Sequence, residues 1–365
     1  MSLIHTCGNP THRHAPEGAT RVGGNVRGRP RSFTVDLHCH ALTPSVEALV
    51  ADRPEVKAAR EAMPRLMGAE SAAFTVNVML KEAFPKLTDL SIRLADMDAM
   101  GVDLQVLSPA PNQYYYWADP DLARQIVTGV NENIAQLVSK HPDRLLGFGS
   151  IALQHPQLAV EQLEYAVREL GLRGIEVSSM VNGLELADPK FNPVWARAEE
   201  LGCVVFLHPL GTSLGERLNQ HYLSNTLGQP LETAVALSYL IFGGTLDRYP
   251  GLKIVAAHGG GYLASYIGRS DHAWHARPDA RASVKRPPSE YLRQIWFDTI
   301  VYRPEQLRHL IAEVGAGQLV VGTDYPYDMA SYDIHDLLDG VAELSAADRA
   351  AILGGNAAKL LGLKL

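Results

Sequence analysis

Cysteine is scarce in this sequence, and long apolar runs are absent from it. Three cysteines, Cys7, Cys39 and Cys203, are too few for a disulfide framework and predict a reducing cytoplasm. No run approaches the roughly 18 apolar residues of a membrane span, and the first residues lack a continuous apolar stretch of the signal-peptide kind. We therefore expect neither a disulfide-stabilised secreted scaffold nor a membrane-spanning protein.

Neither sign of charge dominates the chain. Lysine and arginine number 33 against 40 aspartates and glutamates, a net charge of −7. This mixture gives no reason to expect nucleic acid or an anionic membrane as a partner. A length of 365 residues with 46% hydrophobic and 20% charged side chains is typical of a globular protein, and a single α/β barrel can reach this size.

A short histidine motif occupies residues 35–40, Val-Asp-Leu-His-Cys-His. If this stretch is a β-strand, Asp36, His38 and His40 share one face, because side chains alternate along a strand. Two neutral imidazoles one strand step apart are good ligands for zinc, iron or manganese. The motif alone is weak evidence, because the chain has fourteen histidines and a buried structural histidine is the common alternative.

Three later stretches share one design. Each is an apolar run that ends in a single metal-binding or proton-transferring side chain and is followed within two residues by Gly or Pro. The runs end at His208, His258 and Asp324. This repetition strengthens the prediction of a metal site.

Apolar runs alternate with amphipathic helical segments and predict an α/β fold, a (β/α)8 TIM-type barrel. Residues 1–32 form a polar N-terminal tail, and 33–365 form the barrel with an inserted lid or binding subdomain at about 42–88, which includes a strand over 72–79. The eight barrel strands are predicted over 33–40, 103–108, 145–152, 174–179, 203–208, 253–258, 295–299 and 318–323.

The candidate ligands fall at the carboxyl ends of predicted strands one, five, six and eight, where barrel active sites lie. This pattern resembles the amidohydrolase superfamily, and most closely its amino-carboxymuconate-semialdehyde decarboxylase branch. The resemblance runs through most of residues 34–362 and is carried by residues 97–103, 116–118, 206–209, 230–233, 257–261, 268–269, 322–326 and 355–357.

The resemblance implies one divalent metal ion per subunit, commonly zinc and in some relatives manganese, held by His38, His40, His208 and Asp324. It implies that His258 is the proton-transfer group beside the metal, and it allows Asp324 a double role as ligand and as proton carrier. The alternative for His258 is a buried histidine before a glycine turn.

Two further features follow His258. The run Gly259–Gly261 suits either a helix start whose free amides bind an anion or a plain tight turn. The resemblance implies that Arg269 reaches into the site of a partner subunit and holds a substrate carboxylate, so that a homodimer or higher homo-oligomer completes each site. A surface salt bridge is the alternative for Arg269.

Other substrate contacts differ from the muconate enzyme of this branch. That enzyme uses a second arginine in the inserted subdomain, where this chain has Lys81, and a tryptophan after the His-Pro of strand five, where this chain has Leu210. Asn112 and Tyr115 follow strand two on the catalytic face and are candidate pocket residues for a flat or conjugated acid; subunit packing is their alternative.

The function predicted from this resemblance is non-oxidative decarboxylation of an aromatic or unsaturated carboxylic acid by a metal-dependent carboxy-lyase. The same four ligands would also serve a metal-dependent hydrolase acting on a C–C, ester or lactone bond in a similar acid, with His258 as base. A third hypothesis, a barrel that binds a small acid without turnover, predicts a missing ligand or proton-transfer residue, and the sequence lacks neither.

Overall fold

Short segments rich in Val, Ile and Leu form eight parallel strands, as expected for strands buried on both faces. The computed structural model describes residues 32–363. In chain order the strands are β1 (Val35–Ala41), β2 (Leu104–Pro109), β3 (Leu145–Gly147), β4 (Gly174–Val177), β5 (Val204–Leu207), β6 (Lys253–Ala256), β7 (Ile295–Asp298) and β8 (Leu319–Val320).

The strands follow one another around a ring in sequence order. Continuous ladders join β1 to β3 and β4 to β8. Isolated backbone bridges close the ring at the two remaining positions, one between β3 and β4 and two between β1 and the chain after β8. Gly149 N–H donates to Gly174 O over 2.9 Å at the first, and Leu37 N–H donates to Val321 O over 2.9 Å at the second. The predicted (β/α)8 barrel is therefore confirmed.

Helices surround the barrel and fill the connections. They are α1 (Pro44–Val50), α2 (Pro54–Met67), α3 (Ala69–Phe74), α4 (Leu80–Thr88), α5 (Leu90–Met100), α6 (Pro120–Lys140), α7 (Pro156–Glu164), α8 (Asn192–Leu201), α9 (Gln229–Phe242), α10 (Thr245–Arg248), α11 (Leu263–Ala276), α12 (Pro288–Tyr291), α13 (Pro304–Val314), α14 (Ile334–Asp339), α15 (Ala346–Ala350) and α16 (Asn356–Leu361). A small hairpin, Met180–Val181 with Leu184–Glu185, follows β4. No described helix is both long and apolar enough to cross a bilayer.

Alternate strand residues fill the barrel interior. Val35, Leu37, Phe206 and Val255 belong to one buried cluster that also includes residues of α16. The ammonium of Lys253, the first residue of β6, donates to Leu360 O of α16 over 3.2 Å. Helix α16 therefore lies at the amino ends of the strands, which leaves the carboxyl ends for the site.

The strand predicted over residues 72–79 is wrong, because this stretch is helical. It comprises the end of α3 and a π-helical turn, Thr75–Met79, that leads into α4. Apolar residues at every second position, Phe74, Val76 and Val78, are typical of a strand. In the structure, however, Phe74 and Val76 are exposed, whereas Ala72 and Thr75 are buried. Burial at a spacing of three residues is helical, and packing of this face decides the structure over the β-branched side chains.

The inserted segment approaches the carboxyl ends of the strands through its last helix. Ala83 and Leu87 of α4 pack with Leu42 and Ala110, and Tyr327 packs against the same cluster. The predicted tail at 1–32 lies outside the described residues except for its last position.

Candidate metal centre

Strand β1 carries both histidines of the motif, and its pairing with β2 is irregular. Its pairing with β2 shifts between Asp36 and Cys39, so that β1 carries a bulge there. Leu37 belongs to the interior cluster and Asp36 bonds to the Gln105 amide on the opposite face, whereas His38 and His40 both point to the centre. The prediction that Asp36 shares a face with the two histidines is therefore wrong, because the bulge breaks the alternation.

The four predicted ligands meet in one buried group. His208 directly follows β5, and Asp324 lies four residues beyond β8. One ligand atom from each of His38, His40, His208 and Asp324 lies within 4.8 Å of all the others.

The donor set fits a metal ion. The Nε2 atoms of His38 and His40 and both ring nitrogens of His208 are buried without a hydrogen bond to the described part of the chain. Unpaired polar atoms are costly in an interior, so several converging on one point indicate a ligand site. Oδ1 of Asp324 lies 3.3 Å from Nε2 of His38 and 3.4 Å from Nε2 of His40, which places an anionic oxygen among them.

The charges around this group favour a cation. Burial lowers the pKa of His38, but Asp324 and Asp298 outweigh burial and raise this pKa to about 10. Burial, together with the charge of His38, lowers the pKa of His40 and His208 and keeps both imidazoles in the neutral form that binds metal. Although burial opposes it, the neighbouring histidines hold the pKa of Asp324 well below its usual range.

Neighbouring acceptors fix the tautomers of two ligands. Nδ1 of His38 lies 2.7 Å from Oδ2 of Asp298, and Nδ1 of His40 lies 3.0 Å from the Pro109 carbonyl oxygen. Both acceptors require a proton on Nδ1, which leaves the Nε2 lone pair free for a metal.

His258 lies beside the four ligands, as predicted for the proton-transfer group. Its Nε2 is 3.6 Å from Oδ2 of Asp324, and its side chain is 14% exposed. The backbone of His258 has φ +56° and that of Asp324 has φ +60°, a left-handed conformation that costs energy in residues other than glycine. Strain at both members of the pair is typical of a functional site.

The glycine run after His258 forms a tight turn. The amides of His258 and Gly259 donate to Asp298, over 2.9 Å and 2.8 Å, so these two are already paired with a carboxylate of the protein. At Gly261 a Cβ would lie 1.9 Å from Pro230 O, so close approach of the backbone requires glycine there.

The predicted substrate contacts are not members of the four-ligand group. Arg269 is exposed on α11 and forms no ion pair within residues 32–363, whereas Lys81 is exposed on α4. Asn112 and Tyr115 both donate to Oε1 of Glu47, over 3.1 Å and 2.6 Å.

Two carboxylates near the ligand group were not predicted from the sequence. Asp298 ends β7 and accepts from His38, and its position after an apolar run is the same signal that identified the other strand ends. Glu176 of β4 is fully buried, with Oε2 3.7 Å from Nδ1 of His40, and it accepts a hydrogen bond from Tyr114. Burial raises the pKa of Glu176 to about 8, although the Tyr114 hydroxyl opposes this.

Known proteins resemble this chain in sequence. The family described as Amidohydrolase matches residues 35–363. The chain is 38% identical over 276 residues to 2-amino-3-carboxymuconate-6-semialdehyde decarboxylase of Dictyostelium discoideum, covering 75% of this chain and 77% of that protein. It is 30% identical over 312 residues to γ-resorcylate decarboxylase of Rhodococcus jostii, covering 80% of this chain and 94% of that protein.

A solved structure is similar as well. Dihydroxybenzoic acid decarboxylase from a Polaromonas species, with bound manganese and the inhibitor 2-nitroresorcinol, aligns with a TM-score of 0.72 at 26% identity. The alignment covers 91% of this chain and 97% of that one. This chain therefore belongs to the amidohydrolase family, within its branch of metal-dependent decarboxylases.

Proposed function

We propose that this protein is a metal-dependent carboxy-lyase that removes carbon dioxide, without oxidation, from an aromatic or unsaturated carboxylic acid. One observation carries the proposal. At the carboxyl ends of the strands, three histidines whose ring nitrogens lack hydrogen bonds within the described residues converge with the Asp324 carboxylate, and His258 lies beside them. The names of the relatives that cover 75% and 80% of this chain support the reaction class.

One divalent ion per subunit would be held by His38, His40, His208 and Asp324. Zinc is the first choice, because imidazole and carboxylate donors suit it. Manganese is the alternative, because the Polaromonas relative binds it. Chelation followed by return of Zn²⁺ or Mn²⁺ tests this choice: the ion that restores activity at stoichiometric loading is the one the site uses.

Residues of this chain would hold the proton that replaces the carboxylate and transfer it to the substrate. A divalent ion held by these residues would supply a positive charge that orients a substrate oxygen and stabilises the negative charge developing on the substrate. The C–C bond to the carboxylate breaks, its electron pair stays on the substrate carbon, carbon dioxide departs, and a proton bonds to that carbon. Nε2 of His258 and Oδ2 of Asp324 lie side by side at the ligand group, so the pair can hold and deliver this proton.

Hydrolysis of a C–C, ester or lactone bond is the alternative, because the same residues could activate water with His258 as base. The two reactions differ in their products. A panel of hydroxybenzoates and muconate-type acids, followed for carbon dioxide release with and without chelator, tests the proposal. Metal-dependent carbon dioxide release supports it, whereas metal-dependent turnover that yields only hydrolysis products would replace it.

Arg269 is proposed to bind the substrate carboxylate of a partner subunit in a homodimer. Its guanidinium is exposed and unpaired within the described residues, on a helix that also exposes Tyr266. Tyr262, at the start of this helix, is likewise exposed, which supplies apolar surface for a subunit contact.

A mixed dimer tests this arrangement. Arg269→Ala and His258→Asn each remove one part of a shared site, so each homodimer should be inactive. If Arg269 acts across the interface, a heterodimer of the two variants has one site with both residues intact and regains activity. A monomer in sedimentation, or a heterodimer no more active than its parents, would contradict the proposal.

Lys81, Asn112 and Tyr115 are proposed as contacts at the pocket entrance. The Glu47 carboxylate accepts hydrogen bonds from both Asn112 and Tyr115. Burial raises the pKa of Tyr327, and the charges of Asp324, Glu176 and Glu47 add to this effect. The ring of Tyr327 lies 5.4 Å from that of His40. This cluster therefore borders the centre. Lys81→Ala and Tyr115→Phe should raise KM more than they lower kcat, and unchanged KM in both would remove them from the pocket.

A cytoplasmic location is also part of the proposal. It is supported by Cys39 and Cys203, whose thiols are not joined in a disulfide.

A further inference from the structure

Asp298 occupies an unusual place between the ligand group and the proton-transfer histidine. It is fully buried at the end of β7, and each of its two carboxylate oxygens accepts two hydrogen bonds. Oδ2 accepts from Nδ1 of His38 over 2.7 Å and from the amide of His258 over 2.9 Å. Oδ1 accepts from the amides of Gly259 and Ile300, over 2.8 Å and 3.0 Å.

The two contacts on Oδ2 serve different parts of the site. The bond from His38 fixes the protonated nitrogen of a ligand and so presents Nε2 to the metal position. The bond from the His258 amide, with that from Gly259, holds a backbone segment in which His258 has φ +56°. A strained residue keeps its conformation only when its surroundings determine it, and Asp298 is the acceptor for both amides at this turn.

We propose that Asp298 is a positioning residue that sets two things at once: the metal affinity of the ligand group, through His38, and the placement of the proton-transfer side chain, through the backbone of His258. The first part depends only on the ligand group. The second part rests on the role that we propose above for His258.

Asp298→Asn is the sharpest test, because asparagine keeps the size of the side chain but presents an NH2 group to two donors. If the NH2 group faces His38, that imidazole must take its proton on Nε2 and loses the lone pair that the metal needs. If it faces Gly259 and Ile300, those amides lose their acceptor and the turn that carries His258 loosens. His38 then keeps only a neutral acceptor, which lowers its basicity as a ligand, so metal affinity falls in either orientation.

The first readout is metal binding. The apparent Kd for Zn²⁺, measured by competition with a chromophoric chelator, should rise by about 10- to 100-fold in Asp298→Asn. Asp247→Asn is the matched control, because Asp247 accepts from the Tyr291 hydroxyl over 2.6 Å and from the Lys285 amide over 3.0 Å, away from the four ligands. The control should bind Zn²⁺ like the wild type, and an unchanged Kd in Asp298→Asn would overturn the proposed link to the metal.

The second readout is a double-mutant cycle at saturating metal. Displacing a catalytic group by about 1 Å can cost up to about 100-fold in rate, so kcat of Asp298→Asn should fall more than KM rises. If this loss acts through His258, adding Asp298→Asn to His258→Asn lowers kcat little further. Fully multiplicative losses would overturn the link to His258. If His258→Asn alone keeps wild-type kcat, the proposed function fails while the metal-binding result still stands.

The wild type provides a test that does not depend on the variant folding. Nitrogen NMR of the Zn²⁺-loaded protein labelled at histidine, with His38 assigned by difference from His38→Gln, reports which ring nitrogen carries the proton. A hydrogen-bonded proton on Nδ1 supports the proposal. Zinc bound through Nδ1 of His38 would overturn it.

Discussion

Nε2 of His258 lies 3.6 Å from Oδ2 of Asp324, and the backbones of both residues adopt left-handed conformations. Two strained residues from different strand ends thus meet at the rim of the ligand group. The other carboxylate oxygen of Asp324 faces His38 and His40, so one side chain borders both the other ligands and His258, the proposed proton-transfer group. Substitutions at His258 and at Asp324 should therefore separate proton transfer from metal binding.

Replacing His258 by asparagine should abolish most activity without removing metal. His258 is outside the group of four converging ligands, so its loss leaves them in place. We choose asparagine because it tolerates the positive φ at this position better than most residues. Activity should fall by about 100-fold or more, as expected for loss of a general acid–base group. Metal analysis of the purified variant is the check, and metal loss would make His258 a ligand.

Replacing either a histidine ligand or the carboxylate ligand should lower metal content sharply. His38→Ala removes a nitrogen, and Asp324→Asn removes the only carboxylate of the four-residue group while keeping its shape. Both variants should be purified with far less than one equivalent of metal. His335→Ala is a control, because it removes a buried histidine outside the ligand group. Full metal content in both ligand variants would mean that the ion binds elsewhere.

The stability of the metal-free protein should fall as the pH rises from 6.5 towards 10. The carboxylates raise the pKa of His38 from 6.5 to about 10 in the folded chain, so protonated His38 favours folding. This contribution is fully present below pH 6.5 and is lost as the pH rises through the folded pKa. Urea unfolding after chelation measures it.

A His38→Gln control isolates this effect from Glu176, whose raised pKa changes stability in the same direction. The variant should lose the part of the pH dependence that belongs to His38. A wild type and variant with the same dependence between pH 6.5 and 10 would contradict the charge assigned to His38 in the metal-free protein.

Removing the hydroxyl of Thr323 should destabilise the barrel where β1 meets the chain after β8. The hydroxyl donates to Oδ2 of Asp36 over 2.6 Å, and the Thr323 amide donates to Oδ1 over 3.0 Å. Thr323→Val leaves a buried carboxylate one donor short, which costs about 1–3 kcal/mol of unfolding free energy. Thr88→Val is the control, because the exposed hydrogen bond from the Thr88 hydroxyl goes to Phe84 O of the same helix. This substitution should change stability by less than about 0.5 kcal/mol. Equal effects of the two substitutions would show that Asp36 does not join these strands.

The ligand group was predictable because its members stand at strand ends, and parallel strands bring those ends together. The bulge in β1 was not, because nothing in residues 35–41 distinguishes a regular strand from one that turns Asp36 away. The helical structure of residues 72–79 depends on which side chains are buried, and alternating Phe74, Val76 and Val78 gave the opposite signal. Asp298 could have been found, because it ends its strand in the same way as the ligands. The role proposed for Arg269 depends on a subunit contact, which no local pattern of one chain encodes.

Isotope incorporation tests the central claim most directly. The metal-loaded protein would be incubated in deuterated water with the acid that it consumes fastest, and the products would be analysed by mass spectrometry together with carbon dioxide release. We expect one carbon dioxide per turnover and one deuterium on the carbon that carried the carboxylate. A product that gains the elements of water and releases no carbon dioxide would contradict decarboxylation and identify the protein as a hydrolase.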